Sequence, residues 1–259
     1  MKMNAILKKI DEICPFSYQE SWDNSGLQLG SGEAEVSKIL LAFDLTEKIV
    51  AEAIERDVDL ILTHHPLFFR GIRSIRFDDG KGRMIAALIQ NHINVVSCHT
   101  NLDKVGYGVS AVLGRQLGLQ HCRPFLAEGE DYGFGVIGTL SSPCPLGDFA
   151  LEVKSALGLP CLRMVGEEEA TVYTVAAMGG AGSDFLEEAK NQGADVYVTA
   201  DLKYHDGQKA AEMGLAVIDA GHFQTEMAVI KPFGERLAKV MPEVEFILAE
   251  GMEDYWLVK

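Results

Sequence analysis

Residues 38–66, KILLAFDLTEKIVAEAIERDVDLILTHHP, decide the fold. Lys38 to Phe43 is a short apolar run that reads as a strand. Thr46 to Arg56 has the spacing of a helix, with Thr46 placed as its N-cap. Val58 to Leu62 is a second strand, and it stops at Thr63-His64-His65-Pro66. The rhythm continues outward: Met84 to Asn91 is helical, Ile93 to Val96 is a strand, and Ser110 to Leu117 is another helix. Strands alternating with helices predict a largely parallel sheet with helices on both faces.

Upstream, Ile6, Leu7, Ile10 and Ile13 recur at helical spacing among charged residues, the pattern of an amphipathic surface helix. Downstream of about residue 125 the texture changes. Tyr132 to Leu140 reads as a strand, SSPCPLG as a turn, and Asp148 to Leu157 as a helix. Cys161 to Val165 and Thr171 to Ala177 suit strands of a second sheet. A helix from Asp184 to Asn191 follows, then strands at Asp195 to Thr199, Leu215 to Asp219 and Phe246 to Leu248. The expected organisation is a discontinuous main α/β domain, 1–125 plus 205–259, with a second α/β domain, 126–204, inserted into it.

Composition narrows the function. In 259 residues, 47% hydrophobic and 24% charged, no run is long and apolar enough for a transmembrane helix, and the N-terminus does not read as a signal peptide. Five cysteines with no CxxC argue against a disulfide framework or thiolate zinc site and suit small buried hydrophobes in a reducing cytoplasm. A net charge of −15 without a basic stripe argues against extended nucleic-acid binding. A small anionic substrate remains open, because a metal centre can supply local positive charge.

Chemistry-bearing residues follow the strands. VDLIL runs into His64 and His65, and INVV into Ser97-Cys98-His99-Thr100-Asn101-Leu102-Asp103. DVYV runs into Asp201 and then His205, and LAVI into Asp219, His222 and Glu226. Ligands of parallel α/β sheets bind beyond the carboxyl ends of strands, so these groups can converge on one crevice. His222 and Glu226 lie four apart at a helix start and share a face. Three imidazoles and two carboxylates without a thiolate suit iron, manganese, zinc, cobalt or nickel rather than copper(I) or iron–sulfur.

Bland readings compete with each signal. An HH dipeptide can be incidental, and His-x-x-x-Glu can be a surface pair. His92 and His121 read as surface histidines, and Glu167-Glu168-Glu169 as a solvated turn. GGAGSD could aim backbone amides at a phosphate, or be a tight turn with close packing. Trp22-Asp23-Asn24-Ser25-Gly26 could line a site or cap local structure.

The stretches WDNSGLQLG, DLILTHHPLFF, SCHTNLD, GGAGS, TADLKYHD and DAGHFQTE, in that order from Trp22 to Glu226, resemble the GTP cyclohydrolase I type 2 family, also called Nif-three-like. Ser25 stands where that family suggests a small apolar residue, and touches no presumed ligand. The resemblance implies a Nif-three-like fold with a dinuclear metal site at strand carboxyl ends. His64 and Asp103 would hold one ion, His65 and His222 the other, and Glu226 would bridge them. It also implies two divalent transition-metal ions per chain (iron, zinc or manganese), a nucleotide such as GTP as substrate, and a cytoplasmic homohexamer. His99 and His205, beside the presumed ligands, are candidates for proton transfer or for orienting a ligand or substrate. The competing expectation is a metal-containing regulatory or protein-interaction module without catalysis.

Overall fold

The computed structural model describes residues 1–257. The chain divides into two compact units. Met1–Leu102 with Ile230–Glu253 forms the first; Asp103–Val229, with the C-terminal stretch from Asp254, forms the second.

The first unit opens with helix α1 (Met3–Ile13), which buries Met3, Ile6 and Ile10, one face of its heptad-like pattern. Strand β1 (Gly26–Leu29) follows, then β2 (Lys38–Ala42), α2 (Glu47–Glu55), β3 (Leu60–Thr63), α3 (Gly80–Gln90) and β4 (Asn94–Ser97). Thr46 caps α2 by accepting from the Ile49 N–H at 3.2 Å, and Asp79 caps α3 by accepting from the Gly82 N–H at 2.7 Å. Helix α4 (Thr100–Lys104) ends the segment and carries the chain into the second unit. When the chain returns, α10 (Ile230–Val240) and β11 (Glu245–Leu248) complete the first unit. Its sheet has the order β1-β4-β3-β2-β11. All neighbours are parallel except β1, which runs antiparallel to β4. Its central strands are almost wholly buried, which explains their continuous apolar runs.

The second unit holds α5 (Val109–Gln116), β5 (Gln120–Ala127), β6 (Gly133–Pro145), α6 (Leu146–Ala156), β7 (Arg163–Val165), β8 (Thr171–Ala181), α7 (Leu186–Asn191), β9 (Val196–Ala200), α8 (Tyr204–Met213), β10 (Ala216–Asp219) and α9 (His222–Glu226). Its six-stranded sheet runs β5-β6-β8-β9-β10-β7. Strands β8, β9 and β10 are parallel neighbours, and the remaining pairs are antiparallel.

Three expectations need correction. The unit boundaries fall at 102/103 and 229/230, not at 125/126 and 204/205. The cause is strand pairing: β10 bonds to β9 from Ala216–Val196 to Asp219–Thr199, so the chain cannot leave the second sheet at residue 204. SSPCP is not a turn. After a register shift, β6 resumes its pairing with β8 at Cys144–Val172 and Pro145–Thr171. Only Cys14 and Cys98 are buried cysteines; Cys144 is half-buried, Cys122 and Cys161 are exposed, and no disulfide forms among the described residues.

Leu40, fully buried in β2, sits where two parallel neighbours and α2 meet. Leu40→Ala should lower unfolding free energy by about 2–5 kcal/mol, read by urea titration. A loss within experimental error would show that this strand does not anchor the first core.

Candidate functional site: strand-end histidines

In the first unit, β2, β3 and β4 run parallel and in register, with Ala42 beside Thr63 and Thr63 beside Ser97. They therefore end together. The residues just past those ends emerge side by side: Asp44 after β2, His64 and His65 after β3, His99 after β4. One ligand atom from each of His64, His65 and His99 lies within 4.8 Å of the others. His64 is wholly buried, His99 is 8% exposed and His65 is half-buried. Phe43 stacks on the His64 ring and meets the His65 ring edge-on, so both imidazoles are held against an apolar wall.

Each ring is oriented through Nδ1. The His64 Nδ1–H donates to the Cys98 carbonyl at 2.9 Å. His65 Nδ1 bonds Asp44 at 2.7 Å, and His99 Nδ1 bonds Asp23 at 2.8 Å. These partners are acceptor oxygens, so Nδ1 must carry the hydrogen. In the neutral ring the lone pair then belongs to Nε2, the arrangement typical of metal-ligating histidine.

Asp23 is itself built in. Its side chain is fully buried and accepts from the Thr100 hydroxyl at 2.5 Å, the Ser25 hydroxyl at 3.1 Å and the Asn24 N–H at 2.7 Å. Burial opposes its ionisation. The His99 bond and charge outweigh that, with help from Thr100 and Asn24, and hold the carboxyl well below the usual aspartate range. The WDNSG stretch thus serves the histidines as well as its own loop. The antiparallel pairing of Gly26 with Ser97 brings it there, and the Ser25 hydroxyl accepts from the His99 N–H at 3.1 Å.

The second unit repeats the design. Strands β8, β9 and β10 are parallel, and past them come Gly182, Asp201 and His222. His222 Nδ1 bonds Asp201 at 2.8 Å, and His222 Nε2 lies 3.0 Å from Glu226, one turn further along α9. Asp201 sits in the left-handed region, φ +57°. Glu226 is 5% exposed. The GGAGS stretch supplies close packing. Gly179 and Gly180 lie under α9, and a Cβ on Gly180 would stand 2.3 Å from Glu226 Oε1 and 3.3 Å from the His222 ring. The Gly180 N–H donates to the Thr225 hydroxyl at 3.1 Å.

Asp103 lies on α4, half-buried, at the start of the second unit. His205 is brought into no cluster of ligand atoms among the described residues; it lies exposed on the first turn of α8, bonded to Gln208 at 3.2 Å. His92 and His121 are exposed. The sequence reading did not assign Asp44, Asp23 and Asp201 as histidine anchors. The available signal was position, since Asp44 and Asp201 also follow strand ends.

Fold and side chains define an α/β protein with two sheets and clusters of candidate metal-ligating histidine and carboxylate groups at strand carboxyl ends. The DUF34/NIF3 family model (NGG1p interacting factor 3) matches residues 1–254, and the chain belongs to this family. A GTP cyclohydrolase 1 type 2 homolog of Clostridium perfringens is 37% identical, covering 98% of each chain. Another, of Clostridium acetobutylicum, is 35% identical over 92% of this chain and 90% of that protein. Among solved structures, a hypothetical protein of Staphylococcus aureus is 30% identical with TM-score 0.94, covering 100% of this chain and 99% of that one. Reduced HcgD from Methanocaldococcus jannaschii is 26% identical with TM-score 0.82, covering 96% and 98%. No helix among the described residues is long and apolar enough to cross a membrane.

Gly180, at φ +65° and against Glu226, makes a sharp test of the α9 platform. Gly180→Ala should cost about 2–4 kcal/mol from left-handed strain and overpacking together. In a Glu226→Ala background the cost should fall, because the clashing oxygen is gone. Strictly additive losses in denaturant titrations would mean the glycine is not shaped by Glu226.

Proposed function

We propose that the chain is a metal-dependent hydrolase of nucleotides, GTP or a damaged nucleotide among them, working as a cytoplasmic homohexamer. In this reading His64, His65, Asp103, His222 and Glu226 hold two divalent transition-metal ions. The observation that carries it is the anchoring of His64, His65 and His222 through Nδ1, which leaves Nε2 for a ligand's role. The donor set fits the ions: nitrogen and carboxylate oxygen without thiolate suit iron, zinc or manganese. When bound, such a pair supplies Lewis acidity and lowers the pKa of water toward neutrality.

The chain's own residues supply the rest. His64, fixed by the Cys98 carbonyl and the Phe43 ring, offers a nitrogen that need not reorganise. His99, held by Asp23, moves a proton at Nε2 between substrate and solvent. A second reading, a metal-containing interaction module, draws on the family description, which names an interacting factor.

Elemental analysis of protein reloaded after chelation should give about two ions per chain. Glu226→Ala should disturb both ions and Asp103→Ala chiefly one. A reproducible content of one ion, or equal partial losses in the two variants, would remove the dinuclear assignment.

His99→Ala should keep its metal and lose turnover by roughly 10²–10⁴-fold, the usual worth of a positioned proton donor. His64→Ala should lose metal and turnover together. The starting assay is GTP with formate detection, followed by a nucleotide panel. Full metal content with no turnover on the panel would favour the interaction module.

A further inference from the structure

Beside the histidines of the first unit stands an aromatic pair that the metal reading does not use. Trp22 and Phe69 stack on each other, with ring centroids 5.9 Å apart and planes 20° apart. Both also meet His99 edge-on, at 6.1 Å and 5.2 Å. Yet Trp22 is 56% exposed and Phe69 46%, so the pair keeps a broad apolar face in water. A core pair would be covered, and a lone exposed aromatic would need no explanation.

The pair is held in place. The Asn24 side-chain amide donates to the Phe68 carbonyl at 2.7 Å, and Gln28 Oε1 accepts from the Phe68 N–H at 3.3 Å. Lys81 Nζ donates to the Leu67 carbonyl at 2.7 Å. Within three residues the WDNSG stretch therefore places Trp22 outward, ties Asp23 to His99 and ties Asn24 to the Phe69 segment. The platform and the His99 imidazole are positioned by the same loop.

The chain after Phe69 has its own pattern. Residues 69–77 read FRG-IRS-IRF, with arginine at every third position. Arg76 pairs with Asp78. Arg70 and Arg73 are exposed and carry no ion pair among the described residues. In a chain of net charge −15, where acidic residues abound, two such arginines are a local exception. The far end of the segment is fixed, since a Cβ on Gly82 would fall 1.7 Å from the Arg76 carbonyl.

We propose that Trp22 and Phe69 form the stacking platform for the base of a nucleoside phosphate, with Arg70 and Arg73 taking its phosphates. A planar face, unpaired guanidinium groups and adjacent candidate metal ligands together match this ligand class. A sugar phosphate lacks the plane, and an aromatic amino acid lacks the charge. Base–aromatic stacking is sequence-tolerant, and arginine suits phosphate through its fixed fork of donors. The inference rests on the hydrolase reading for its substrate class, and its test does not depend on turnover.

The chain has two tryptophans, Trp22 and Trp256, so Trp256→Phe leaves Trp22 as the sole reporter. In zinc-loaded Trp256→Phe protein, GTP should quench Trp22 emission saturably. Phe69→Ala in that background should weaken GTP binding roughly 5- to 150-fold, the worth of one stacked base. Arg70→Gln should weaken GTP more than guanosine. Inorganic triphosphate should compete less well than GTP. Phe69→Leu, which keeps apolar bulk without a π face, guards against a folding artefact and should also bind more weakly. Equal affinity of parent, Phe69→Ala and Phe69→Leu by equilibrium dialysis would overturn the platform. So would emission that follows protein concentration rather than GTP, which would assign the patch to a second copy of the chain. Saturable quenching without turnover would keep the platform and sink the hydrolase. Turnover with unchanged KM in Phe69→Ala would do the reverse.

Discussion

An imidazole whose Nδ1–H is bound to an oxygen can offer only Nε2 to a cation, and its plane is no longer free to turn. His64, His65, His99 and His222 are all held this way, by one backbone carbonyl and three aspartates. The anchors require that neighbouring strands end at the same level. Asp44 meets His65 because β2 and β3 finish in register, and His64 meets the Cys98 carbonyl because β3 and β4 do. A slip of one residue between parallel strands would separate donor from acceptor and turn the buried side chains to the opposite face. The core of each sheet is thus the foundation of that unit's anchored histidines as well as of its stability.

The two units solve the same problem with different materials. In the first, an aromatic wall, Phe43, backs the rings and a polar loop supplies Asp23. In the second, glycines do the backing, because α9 approaches β8 so closely that no side chain fits beneath Glu226. Bulk supports one set of ligand candidates and the absence of bulk supports the other.

Much of this was legible before the structure. Strands running straight into His64-His65 and His99 in the first unit, and into Asp201 and His222 in the second, mark out the candidate ligand groups of each, since a polar cluster after an apolar run must go where strands end. The anchoring role of the aspartates was harder to read, because which acceptor a ring reaches depends on strand order and register. Strand β1 is short and half-buried along its length, so GLQL shows no strong alternation. SSPCP reads as a turn from its prolines; in the fold they lie in an irregular stretch of β6, where register shifts and the ladder can spare their missing N–H groups. The unit boundaries were misplaced because strand–helix alternation looks alike on both sides of residue 204. Only pairing tells which sheet a strand joins.

Asp201 illustrates how narrow the choice of residue can become. Its backbone turns left-handed just after β9, a conformation comfortable for glycine and tolerated by asparagine and aspartate. Its side chain must also present a carboxylate to His222. Glycine meets the first demand without the second. Asparagine keeps the turn but gives up the negative charge, and glutamate keeps the charge but strains the turn. Two independent filters, one conformational and one electrostatic, leave a vocabulary of a single letter at this position.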